Sequence, residues 1–114
     1  MKENKLIAEF MGLPTEVFFK SGIMHYHHDG AWYGEHDLSY NTSWDWLIPV
    51  VEKIEEHGYD FIASKRRATR TYDANFMDEV NNYVVYVEDC KDRKEATYKA
   101  VVGFIKNCVS LEKE

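Results

Sequence analysis

Two prolines, two cysteines and six glycines are all that this 114-residue chain has of the residues that most sharply break, staple or bend a backbone. So few cysteines exclude a disulfide-dense scaffold. Cys90 stands just before, and Cys108 late in, what reads as one helix. Eighteen helical residues span about 27 Å against a limit of roughly 7 Å between bridged Cα atoms, so no intrachain bridge is expected. Cys108 reads instead as a small buried apolar residue.

Long apolar runs are missing too. Charges interrupt every stretch short of the roughly 18 residues a membrane helix needs, and MKENKLIAEF lacks the apolar segment and cleavage site of a secretory signal. A cytoplasmic protein with no membrane partner is the expectation. GxSxG, P-loop, GxGxxG, C-x-x-C and HExxH motifs are all absent. Glu35, Asp37 and Asp45 have no spacing that demands a paired-carboxylate mechanism. No catalytic residue is assigned, and a non-enzymatic protein is expected. Positive charge is in deficit, with a net charge of -6, which argues against a duplex-DNA binder because phosphate neutralisation dominates that affinity.

What remains is an ordinary globular composition, 45% hydrophobic and 30% charged, on a length that fits a single domain over residues 1–114. Residues 41–55, NTSWDWLIPVVEKIE, organise it. Thr42 or Ser43 is the natural N-cap, and Asp45 suits the positive end of the helix dipole. Trp44, Leu47, Ile48, Val51 and Ile54 form the expected buried stripe. Pro49, too late for the first turn, frees a carbonyl near Asp45, where a kink is expected.

Residues 2–11 read as a short helix with Leu6, Ile7, Phe10 and Met11 on its apolar side, and Val17, Phe18 and Phe19 follow as an anchor. Asp29-Gly30 between aromatic flanks is a two-residue hairpin signal, with His28 opposite Ala31, His27 opposite Trp32 and Tyr26 opposite Tyr33. Residues 59–64, 67–76 and 82–88 read as an antiparallel meander. A last helix over about 92–110 presents Tyr98, Val101, Phe104 and Ile105, with Asp89 as candidate N-cap. The order predicts an α+β fold, helices packed on a small, mainly antiparallel sheet.

Three segments, NKLIAEFMG at 4–12, SWDWLIPVVEKIE at 43–55 and AVVGFIK at 100–106, resemble small uncharacterised phage and gut-bacterial proteins with the phage ABA sandwich domain. The resemblance implies an α/β/α-type sandwich and a phage or prophage origin, hence a bacterial-host cytoplasm; it implies no catalytic residues. Phage proteins of this size are often accessory or anti-defence factors.

Two constellations carry chemistry. His25 and His27 alternate onto one face of a strand, and His36 on the partner side would supply a third imidazole, the donor set of a catalytic zinc site. That is the basis of an alternative reading as a metal-dependent hydrolase with zinc as cofactor; the main reading has no cofactor. Trp32 and Tyr33 offer stacking faces, and Arg66, Arg67 and Arg70, with Lys65, place four positive charges within six residues. Together they form a candidate ligand site for a nucleotide-type small molecule. The main expectation is a binding protein that engages a host protein or sequesters a nucleotide signal, with a homodimer as the expected way to complete a pocket.

Overall fold

The computed structural model describes residues 2–18, 22–80 and 82–112, without the side chains of residues 2 and 108–112. Its elements are α1 (Lys2–Phe10), β1 (Thr15–Val17), β2 (Met24–His28), β3 (Ala31–Gly34), α2 (Trp44–Glu56), β4 (Asp60–Arg66), β5 (Thr71–Met77), β6 (Tyr83–Cys90) and α3 (Arg93–Glu112). This is the expected α+β class, three helices packed against two small antiparallel sheets, ordered β1-β2-β3 and β4-β5-β6. The expectations for Phe19 and for the burial of Cys108 lie outside the described residues.

The first hairpin forms in the expected register, with His28 opposite Ala31, His27 opposite Trp32 and Tyr26 opposite Tyr33. Asp29 and Gly30 both take positive φ, 49° and 86°, as a type I′ turn requires. Strand β1 was not foreseen. It is three residues long and exposed throughout, so no burial pattern marks it.

In the second sheet β4 pairs with β5 without interruption over seven residues, from Asp60–Met77 to Arg66–Thr71. The turn between them occupies residues 67–70, which the sequence assigned to the strand. Arg70 there adopts φ 58°, and its N–H closes the turn onto the Arg66 carbonyl at 2.9 Å. The β5–β6 register shifts twice, and Asp89 has φ 60°. Asp89 is thus a bulge residue within β6, not the cap of α3. Asp92 caps that helix, its carboxylate accepting from the Glu95 N–H at 2.8 Å, because the chain needs two more residues to leave the sheet.

One face of the second sheet lies under α3. Ala74 and Phe76 of β5 are fully buried with Ala96, Ala100 and Val101, and Phe104 is almost so. Phe104 collects rings from β5, the loop before β4 and α1: Phe76 at 5.5 Å, Tyr59 at 4.8 Å and Phe10 at 6.5 Å. Each such side chain contributes about 1.5–3 kcal/mol of burial. Gly103 lets α3 approach β6 closely, since a Cβ there would stand 3.0 Å from Val85 Cγ1.

Helix α2 runs through Pro49 and buries Leu47, Val50, Val51 and Ile54. Trp44 and Ile48, expected in the core, are 37% and 41% exposed. Two overlapping stripes share Leu47, Val51 and Ile54, and the helix is turned so that Val50 completes the inner one. Trp46, not Trp44, is the packed tryptophan. It stacks on His28 at 3.9 Å and meets Tyr33 and Tyr40 edge-on, joining the first sheet to α2. Ser43 takes the N-cap position without a side-chain cap bond.

A buried amide ties the first helix to the rest, beside the bond from Lys53 Nζ to the Phe10 carbonyl at 2.6 Å. Asn4, 1% exposed, donates from Nδ2 to the Leu38 carbonyl at 2.9 Å and to Asn41 Oδ1 at 2.8 Å, while its Oδ1 accepts from the Tyr98 hydroxyl at 2.8 Å. Both amide protons and the carbonyl oxygen are used, so burial is tolerated. The buried Tyr98 hydroxyl has its pKa pushed up to about 12 by desolvation and remains a donor.

Replacing Asn4 by Ala strands three polar partners and is expected to destabilise the domain by about 2–3 kcal/mol. Tyr98→Phe, which strands only the Asn4 oxygen, should be milder, at about 1–2 kcal/mol. Urea unfolding of the two single variants and the double variant checks this: strictly additive losses would show that the two side chains are not coupled.

Candidate functional site

The histidines are placed by the hairpin, and aromatic rings take each of the three that lie on β2. His25 stacks on Phe18 at 3.9 Å and donates from Nδ1 to the Ile23 carbonyl at 2.8 Å. His27 meets Trp32 edge-on at 5.1 Å, and His28 lies on Trp46. The pairing of β2 with β3 ends at Gly34, so His36 falls in the following turn, its side chain 76% exposed and 3.7 Å from Glu35. His25, His27 and His36 are therefore not gathered into a donor set. Among the described residues no group of three His, Cys, Asp or Glu side chains stands in position to hold a metal ion.

The five residues of the candidate ligand site separate in the same way. Trp32 and Tyr33 belong to the first sheet, where Tyr33 packs on His28 and Trp46 while Trp32, 40% exposed, contacts Phe18 and His27. Arg66 ends β4 in the second sheet, and Arg67 and Arg70 lie exposed in the turn after it. No hydrogen bond, ion pair or ring contact among the described residues joins the two groups.

Arg66 is occupied by its own sheet. Its Nε donates to Asp73 Oδ2 at 2.7 Å, and Nη2 donates to Glu88 Oε2 at 2.8 Å and to the Tyr86 hydroxyl at 3.1 Å. These contacts raise the guanidinium pKa still further, led by the Asp73 hydrogen bond. Asp73 is held below the usual carboxylate range by Arg66 first, against the opposing effect of burial, and by the Asp89 N–H. The strand alternation that puts Arg66, Asp73 and Glu88 on one face makes this basic residue a structural tie.

A different concavity is better formed. A cleft of about 680 Å³ runs along α3, with Tyr98, Val102 and Gly103 among its lining residues and Asn41 and Thr42 from the loop before α2. Four lysines also line it, Lys91, Lys94, Lys99 and Lys106, with Glu3, Asp92 and Glu95 as the acidic members. Asp92 is committed to the helix cap, and Glu95 holds Lys99 at 3.1 Å and Lys91 at 3.8 Å. Its hydrogen bond raises the Lys99 pKa. Lys94 donates to the Thr42 carbonyl at 3.0 Å, fixing the loop against the helix. The buried Asn4–Tyr98 bond stands behind the cleft.

Sequence reasoning passed over these lysines because they do not run together. Lys94, Tyr98 and Val102 recur at helical spacing, and Lys99 and Lys106 flank them, but the pattern has meaning only once the face of α3 buried on the sheet is known. No family model, curated protein or solved structure matches the chain.

The Arg66–Asp73 pair has a pH signature. A carboxylate whose folded pKa is lowered stabilises the fold fully above its unfolded value, about 3.9, and loses that contribution as pH falls through the folded value. Asp73→Asn is expected to lower Tm at neutral pH and to flatten the fall of Tm below about pH 4. A thermal-melt series across the acid range tests this, and an acid limb identical to the parent's would remove Asp73 from it.

Proposed function

We propose that this protein works by binding, and that the α3 cleft receives a nucleotide-type anion. The observation that carries the reading is the set of four lysines lining a 680 Å³ cleft on a chain of net charge -6. The volume lies within the roughly 300–1,000 Å³ of small-molecule sites. An apolar and aromatic lining with ammonium groups among it suits a base or ribose with phosphates attached, because lysine meets phosphate as a mobile point charge. The acidic background favours a local rather than a general anion site, since it repels polyanions elsewhere. An accessory role in a phage, sequestering a nucleotide signal of host defence, accords with the family resemblance of the three core segments. The cleft is favoured over Arg66 because that arginine gives its Nε and Nη2 donors to Asp73, Glu88 and Tyr86 on an open sheet face, whereas the cleft is a concavity in which Lys91 and Lys99 share one carboxylate and Lys106 has no ion-pair partner among the described residues.

Isothermal titration with a panel of mono-, di- and cyclic nucleotides tests the proposal. At least one is expected to bind, with affinity falling as salt rises, and Lys94→Ala with Lys106→Ala should weaken it about tenfold or more, as expected for losing charge-assisted hydrogen bonds. Circular dichroism should be unchanged. Binding by the parent that survives in the double variant would move the site elsewhere, and no binding across the panel would reject a nucleotide ligand.

A further inference from the structure

Four cations at one end of the second sheet, Lys65, Arg67, Arg70 and Arg93, have no ion-pair partner among the described residues. Lys65 stands opposite Tyr72 across β4 and β5. Its Nζ lies 5.7 Å from the centroid of the Tyr72 ring, and Cζ of Arg93, the first residue of α3, lies 5.9 Å from the same centroid. One half-buried ring thus collects two cations. Arg67 and Arg70 are exposed in the turn just beyond this pair. The turn holds residue 70 at φ 58°, a conformation that glycine or asparagine takes with less strain, so its geometry does not account for an arginine there. The neighbouring acids are committed: Asp73 and Glu88 hold Arg66, with Asp89 at 3.9 Å, and Asp92 caps α3. With Arg66 and Lys91 counted, the basic residues of this end still outnumber those four acids. Folding takes Arg66 out of the sequence run and adds Arg93 to it.

We propose that this end of the second sheet docks a short acidic segment of a partner protein. The surface is separate from the α3 cleft, since none of the four cations lines it. Charge and shape select the occupant. A small anion is held in a concavity, whereas these cations stand on a strand end, a turn and the first residue of a helix, all exposed. Setting the four charges aside, the net charge of -6 becomes -10 for the rest of the chain. That background repels a long polyanion such as nucleic acid as it extends past the patch. A short segment with a few carboxylates does not reach so far, and it can meet the separated cations one at a time. Three of the four are arginines, whose planar forks match carboxylates with two parallel hydrogen bonds. The half-buried Tyr72 ring adds an apolar contact among them. Arg66, held by its own sheet, steadies the turn that carries Arg67 and Arg70.

Fluorescence anisotropy of a labelled oligoglutamate peptide, titrated with the full chain, reads the interaction. The parent is expected to bind it, more weakly as salt rises, and to leave an oligoglutamine peptide of the same length unbound. Arg67→Ala with Arg70→Gly, and separately Lys65→Ala with Arg93→Ala, should each weaken binding about fivefold. Arg70→Gly alone has a second readout that separates lost binding from lost folding: affinity should fall while Tm stays level or rises, because the left-handed position is relieved. No binding of oligoglutamate by the parent overturns the proposal, as does parent affinity in both double variants. A thymidine oligonucleotide of the same length that binds more tightly overturns it in favour of nucleic acid. Loss of peptide binding in Lys94→Ala with Lys106→Ala as large as in the other double variants overturns it by moving the peptide to the α3 cleft.

Discussion

The Asn4 amide holds together what the chain order separates. Its partners lie at Leu38, Asn41 and Tyr98, so one side chain of the first helix fixes the loop before α2 and the second turn of α3. Apolar contacts alone would allow α1 to slide along α3, because dispersion and area burial are not directional. Three hydrogen bonds in a buried setting are directional, and any shift leaves polar atoms unsatisfied where water does not reach. The cleft along α3 inherits this constraint. Tyr98 and Asn41 belong both to the network and to the cleft lining, so the positions of Lys94 and Thr42 follow from the same hub.

Where one local rule dominated, the sequence was legible. Asp29-Gly30 set the first hairpin and its register because a two-residue turn with positive φ at both positions matches the twist of the strands it joins. The three helices followed from apolar spacing. Where two rules competed, the outcome depended on tertiary packing. Val50 and Trp46 displaced Ile48 and Trp44 because both stripes of α2 satisfy the helical period and only the neighbouring aromatic residues choose between them. Asp92 displaced Asp89 as cap because the bulge in β6 postponed the helix.

Functional residues were harder to see for a related reason. A run such as Lys65 to Arg70 is conspicuous in sequence, yet the end of β4 and the turn after it divide it, and Arg66 spends its donors on Asp73, Glu88 and Tyr86. The histidines were conspicuous too, and the fold uses those of β2 as flat rings against Phe18, Trp32 and Trp46. The lysines of α3 are unremarkable in sequence, because helical periodicity gathers residues that are well separated along the chain. Clustering in one dimension and clustering in three are different quantities, and here they point to different residues.

The double bulge of β6 has a consequence for how large any assembly through this sheet can grow. A strand added at β4 finds a regular template, but the opposite margin is kinked at Asp89 and capped near Val84, so it cannot pass the template on. The sheet has the geometry of a clasp with a single open side, which lets an aromatic-rich, β-prone chain expose a pairing edge without supplying the two edges that an indefinitely extending fibre requires.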